Sequence, residues 1–202
     1  MPSNPLPIVI HKYVPGKPTK AIGSRLAAHF KYNQYRTLGE QEAREDRSLF
    51  TVENDHVNRK DAVHDVMSHT SRSVNYHKLI LSPGEHEHID DFRQWTRDVM
   101  HDLEERKGVH LHWYAVVHAH QREHTNEPHV HLVLAGAGED LESGKTQAIR
   151  IEKTDYAFLR QQGREHGNFT FYQQQEQLLH LLNEEDKTPL EYHIDREPER
   201  SF

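Results

Sequence analysis

The run Pro128-His129-Val130-His131-Leu132-Val133-Leu134 limits what this chain can become more than any other stretch. Its apolar tail and alternating head read as a strand, in which successive side chains point to opposite faces. His129 and His131 therefore project to one side, close enough for their ring nitrogens to share one ion. A third ligand has to come from a neighbouring strand. The segment Leu111-His112-Trp113-Tyr114-Ala115-Val116-Val117-His118-Ala119-His120 is a second strand-like run that ends in histidines. Antiparallel pairing through the polar loop 121–127 brings His118 or His120 beside the pair. An isolated H-x-H in a chain with 19 histidines is usually solvated surface, but the second histidine-ended strand and the buried-looking Leu132-Val133-Leu134 argue for a metal pincer.

The rest of the composition narrows the chemistry. The chain has no cysteine, which excludes disulfides and thiolate sites, so a transition-type ion must be held by histidine and carboxylate. A length of 202 residues suits one ordinary domain, expected over residues 1–182, with an acidic tail over 183–202. The formal net charge is −7, an awkward balance for a nucleic-acid binder. The tail, with Glu184, Glu185, Asp186, Glu191, Asp195, Glu197 and Glu199 against Lys187, Arg196 and Arg200, supplies −4 of it. The remainder is close to neutral and can still carry a local basic face. No apolar stretch approaches ~20 residues and no signal-like leader is present, so a cytoplasmic protein with no membrane partner is expected.

Taken in order, residues 6–14 read as a first strand, followed by the basic turn Pro15-Gly16-Lys17-Pro18-Thr19-Lys20. From Ala21 the spacing becomes helical, with Ile22, Leu26, Phe30 and Asn33 on one face. Residues 48–73 read as a connection with one short helix around 58–68. Residues 74–82 form a strand stopped by Pro83-Gly84. Ile89, Phe92, Trp95, Val99 and Leu103 mark an amphipathic helix over 88–107, ended by Gly108. The two histidine strands follow, the second closing at Gly136-Ala137-Gly138. A strand at 146–151, a helix at 154–166 capped by Thr154 or Asp155, and a last helix at 171–183 complete the chain. This order predicts an α+β fold, an antiparallel sheet covered on one face by helices as a two-layer sandwich.

Three neutral imidazoles hold a divalent ion while leaving coordination positions open, which lets the ion polarise a phosphoryl or carbonyl oxygen. The spacing matches neither H-E-x-x-H nor a cysteine-containing deaminase signature. A nucleophile must therefore come from elsewhere, and Tyr32 and Tyr35, one helical turn apart and flanked by Lys31 and Arg36, are the candidates. A phenol titrates near ~10, so it needs a cation or a metal ion nearby to act as phenolate.

These residues carry a family resemblance. Pro128-His129-Val130-His131-Leu132-Val133-Leu134 after a histidine-ended strand, with Ala28-His29-Phe30-Lys31-Tyr32 near the start, resembles the HUH superfamily of single-strand endonucleases. Specifically, it is similar to the relaxases of conjugative and mobilisable elements, in the branch that includes the T-DNA border-nicking endonuclease. The likeness covers about residues 8–167. It implies that His129, His131 and His118 hold a divalent ion, Mg2+ or Mn2+, with His120 and His124 as competitors for the third place. It implies Tyr32 as nucleophile with Tyr35 as fallback, and a reaction that nicks and rejoins DNA through a 5′-phosphotyrosine and a free 3′-hydroxyl. The implied partners are single-stranded DNA at a transfer origin, accessory relaxosome proteins and a secretion-system coupling protein. Members of this group are usually much longer, so a catalytic domain or a minimal stand-alone nickase is implied. Lys31, Arg36, Arg150, Lys153, Arg160 and Arg164 are the expected DNA contacts, interleaved downstream with Tyr156, Phe158, Phe169 and Tyr172. Two rivals remain. One is an HUH replication initiator or transposase, which would use a tyrosine on a later helix, here Tyr156; the other is a non-catalytic DNA- or metal-binding module.

Overall fold

Alternating apolar side chains along four segments build the main sheet. In the computed structural model the described residues are 7–35, 47–83, 89–118 and 128–167. The elements run β1 (Ile8–Pro15), α1 (Lys20–Tyr35), α2 (Arg59–Ser68), β2 (Val74–Ser82), α3 (Phe92–Lys107), β3 (Val109–His110), β4 (Trp113–His118), β5 (His129–Ala135), β6 (Ala137–Asp140), β7 (Thr146–Ala148) and α4 (Lys153–Glu165). The main sheet has the order β1-β2-β5-β4 with every neighbouring pair antiparallel, and a small second sheet has the order β3-β6-β7. All these elements belong to the compact unit Met1–Phe169. The boundary expected at 182, the helix at 171–183 and the acidic tail lie outside the described residues.

The α+β architecture with an antiparallel, helix-covered sheet is the expected one, but helices pack on both faces rather than one. The reason is in the inner strands. Along β5, Val130, Leu132 and Leu134 join Leu79, Leu81, Trp113 and Ala115 in a core against α3 and α4. The alternate residues Val133 and Ala135 join Tyr76 and Val116 in a second core with Leu26 and Phe30 of α1 and Val66 of α2. A strand apolar on both faces has to be covered twice. The α1 stripe Leu26, Phe30 and Asn33 is buried, and Ile22 packs at its edge, matching the helical spacing of the sequence.

Local signals set the ends of the elements. Asn58 caps α2 by accepting from Lys60 N–H at 2.8 Å. Asp91 caps α3 by accepting from the backbone of Arg93 and Gln94, and Gly108 ends that helix in the left-handed conformation at φ 64°. The later boundaries differ from expectation. Only Thr146–Ala148 is strand, and α4 begins at Lys153 behind Glu152. Asp155 sits inside the first turn, where its carboxylate accepts from Glu152 N–H in a reciprocal cap. Gly136 stands between β5 and β6 at a position where a Cβ would overlap the Val74 carbonyl, so no larger residue fits. Among the described residues no helix is long and apolar enough to cross a membrane.

Candidate metal centre

Strand pairing assembles three histidines. His118, the last residue of β4, lies directly opposite His129, and His131 follows two residues along β5 on the same face. One nitrogen from each of the three falls within 4.8 Å of the others. The ring centroids are 4.6–5.1 Å apart and the rings stand at 65–74° to one another, T-shaped rather than stacked. Each ring is half-buried. His118 Nε2 lies 2.9 Å from the Asn33 carbonyl at the end of α1. A carbonyl only accepts, so Nε2 carries the proton and Nδ1 presents its lone pair, the orientation typical of a ligating histidine. Three imidazole nitrogens at this spacing fit a divalent ion.

The same contact docks the last turns of α1 on the centre. Asn33 is buried, and its side-chain amide reaches toward His29 Nε2 at 3.5 Å. His29 is held neutral, its pKa lowered to about 4 by burial and then by the Lys78 ammonium. Tyr32 and Tyr35 are both exposed. At ~100° per residue, Tyr32 stands on the flank of α1 next to His29, whereas Tyr35 is about 60° further round and has the Arg59 guanidinium of α2 over its ring at 5.8 Å. Lys31 is exposed on the same helix.

The triad face continues across β2 and β1, where the described residues Lys78 and Ile80 are half-buried and Ile10 and Lys12 exposed. Ile80 pairs with His131 and with Ile10, and Lys78 pairs with Lys12. Residues directly opposite in antiparallel strands share a face, so this row lies on the triad side. Ile8 and Ile10 are 40% and 48% exposed there. The Lys78 pKa is lowered by burial and by the neighbouring Lys12 charge.

The downstream basic residues are elsewhere. Arg160 and Arg164 are on α4, which packs with α3 on the opposite face, and Lys153 begins that helix; Arg150 lies just before it. Tyr156 is also across the sheet. Its hydroxyl donates to His11 Nδ1 at 2.8 Å, His11 Nε2–H to His77 Nδ1 at 2.9 Å, and His77 Nε2–H to the Ile149 carbonyl at 3.1 Å. The terminal carbonyl dictates every proton along this chain. Burial, then His11, lowers the His77 pKa to about 4. The relay borders a cavity of about 840 Å3 lined also by Lys12, Tyr13 and Arg150. Arg36, His120, His124, Phe169 and Tyr172 lie outside the described residues.

Asn33, His29 and Lys78 escaped the sequence reading as site residues. Asn33 carried a signal, a polar residue on the apolar stripe of α1; the neighbourhood of His29 and Lys78 depends on how α1 crosses β2, which no local pattern encodes.

An antiparallel sheet with helices on both faces, whose neighbouring strands present three histidines beside the end of a helix, is a fold found among solved structures. The solved structure of the conjugative relaxase TrwC in complex with oriT DNA, in metal-bound form, matches 82% of this chain and 70% of its own, at 12% identity and a TM-score of 0.51. That likeness shows a shared fold. A structure described as the molecular basis of vancomycin resistance transfer in Staphylococcus aureus matches 84% of this chain and 94% of its own, at 15% identity and a TM-score of 0.44. No family profile and no curated protein matches the sequence.

Proposed function

We propose that this chain is a metal-dependent relaxase that nicks and rejoins single-stranded DNA at a transfer origin. The observation that carries the reading is the convergence of His118, His129 and His131 at the end of the helix bearing Tyr32, on a fold shared with a conjugative relaxase. An ion held by the triad would supply positive charge to the scissile phosphate oxygens. Three imidazoles suit Mn2+ better than the harder Mg2+, which prefers oxygen donors. The Tyr32 oxygen forms the new bond to phosphorus as the bond to the 3′ oxygen breaks; the phenol proton ends on the released 3′-hydroxyl. The 5′-phosphotyrosine conserves the energy of the phosphodiester, so the strand can be resealed.

The face beside the triad supports strand binding. Ile8, Ile10 and Ile80 offer an apolar floor for bases, and Lys12 and Lys78 offer charge to phosphates. A strand continuing round β1 would reach the cavity with Arg150 and then Lys153, Arg160 and Arg164 on the far side. Accessory relaxosome proteins and a coupling protein are the further partners of this reading. The initiator alternative is disfavoured by Tyr156, whose hydroxyl is engaged by His11 across the sheet from the triad. The deciding experiment incubates the protein with Mn2+ and labelled single-stranded oligonucleotides spanning its own element's transfer region, denatures the mixture and looks for a covalently shifted protein band. A band is expected. Its absence across the whole region, with binding intact, would leave the non-catalytic DNA-binding module.

A further inference from the structure

At the other end of β4 a second group of metal-ligating side chains converges. Asp65 and His69 come from the end of α2, His112 precedes β4, and Glu139 is on β6. The Asp65 carboxylate is 3.2 Å from His69 Nδ1 and 3.3 Å from His112 Nδ1. Glu139 faces the far nitrogens, 2.8 Å from His112 Nε2 and 3.5 Å from His69 Nε2. The two rings are stacked between these carboxylates, 3.5 Å apart and 9° from parallel. His112 and His118 are six residues apart, about 20 Å along an extended chain, so this group is separate from the triad.

Each of the four ring nitrogens faces a carboxylate oxygen. His69 Nδ1 also stands 2.8 Å from the Asp65 main-chain carbonyl, which only accepts, so in this geometry that nitrogen donates there. The Asp65 carboxylate is approached by Tyr114 O–H at 2.9 Å as well. Two imidazoles and two carboxylates drawn this close form a nitrogen and oxygen donor set that suits a divalent cation. We propose that Asp65, His69 and His112 form a second site for a divalent transition-metal ion such as Zn2+, with Glu139 orienting the two imidazoles from behind.

One donor atom from each of the three lies within 4.8 Å of the others. The Asp65 oxygens already stand off the two Nδ1 atoms by about the ~3.3 Å edge of a tetrahedral zinc shell with ~2.0–2.1 Å bonds. Glu139, hydrogen-bonded to His112 Nε2 at 2.8 Å and 3.5 Å from His69 Nε2, makes the carboxylate–histidine contact that fixes the orientation of a ligating ring. Parallel rings send their in-plane lone pairs side by side, so capture requires one ring to turn about its Cβ–Cγ bond. His69 Nδ1 then leaves the Asp65 carbonyl, 2.8 Å away, which keeps its bond from His69 backbone N–H. The ion ties α2 to the entry of β4 and to the small sheet, alongside the existing bond from Ala137 N–H to the His69 carbonyl. Its role is structural, and it does not rest on the nickase reading.

The test measures bound metal. Chelator-stripped protein is loaded with Zn2+, dialysed and assayed for ion content, in parallel with Co2+ loading read by its visible absorption. The wild type is expected to retain two ions, His129→Ala/His131→Ala one, and that variant with His69→Gln and His112→Gln none. Because the double glutamine change could disturb folding, Glu139→Ala in the triad-deficient background serves as a second arm. It removes a partly exposed side chain and is expected to weaken the remaining ion about tenfold or more. Zn2+ should also raise the melting temperature of the triad-deficient protein. Failure of that protein to retain an ion, or retention unaffected by both the glutamine and Glu139 changes, would overturn the proposal.

Discussion

The chemistry of a nickase rests on single atoms, and the nucleophile is the sharpest test. Tyr32→Phe removes one oxygen from an exposed ring, so folding should be unchanged. The variant is expected to bind Mn2+ and single-stranded DNA but to form no covalent adduct. Tyr35, about 60° further round the helix with the Arg59 guanidinium over its ring, should tolerate the same change with substantial adduct remaining. Peptide mapping of the wild-type adduct checks the assignment, and a nucleotide on Tyr35 or Tyr156 would reverse it. His129→Ala and His131→Ala are each expected to abolish nicking and weaken metal binding, and His118→Ala to match them, measured under limiting metal. The H-x-H pair was legible because period-two alternation alone puts both rings on one face. His118 needed more. A one-residue slip of β4 against β5 would send it to the other side of the sheet, and the register is set by apolar pairs such as Val117 with Val130 and Ala115 with Leu132.

Among the elements, α1 and the β1–β2 pair decide how a strand of DNA could lie. Each lost phosphate contact removes about 0.7 from the log–log salt slope of single-strand binding. Replacing Lys12 and Lys78 together is therefore expected to lower affinity and flatten the slope, read by fluorescence anisotropy at several salt concentrations. Replacing Arg160 and Arg164 tests whether the track extends round β1 to α4. A slope that responds only to the α4 pair would move the binding path to the opposite face. The helical face of α1 and the glycine stop of α3 were readable because capping and 3.6-residue periodicity are local. The start of α4 was misplaced by one residue because Glu152, a weak capping residue, works there through its reciprocal bond with Asp155.

For the whole molecule, three layers bury histidines that must stay neutral, and this links folding to pH. The folded-state pKa of His77 is about 4, against an ordinary value of 6.5. Between these values the unfolded chain binds a proton that the folded protein refuses, so stability falls as pH drops from about 6.5 toward 4, by up to about 1.4 kcal/mol per pH unit for a single group. Above about 6.5 this contribution is fully present. Urea titrations at pH 7, 5.5 and 4.5 should show the loss. His77→Gln, which keeps a donor for the Ile149 carbonyl, should give a shallower dependence, and an equally steep one would show that other groups govern acid sensitivity.

What the sequence determined by itself was everything carried by near neighbours: the strand that pairs His129 with His131, the amphipathic helices, the exclusion of thiolate chemistry and the absence of an evident carboxylate in the pincer. Those features depend on periodicity and side-chain type, which a few residues specify. Only the tertiary structure decided that the sheet is covered on both faces, that the Asn33 carbonyl orients His118, that Tyr156 belongs to a relay behind the sheet, and that Asp65, His69, His112 and Glu139 meet. Each of those depends on which face of a strand a distant segment covers, a matter of register and helix crossing summed over many contacts rather than of any local pattern.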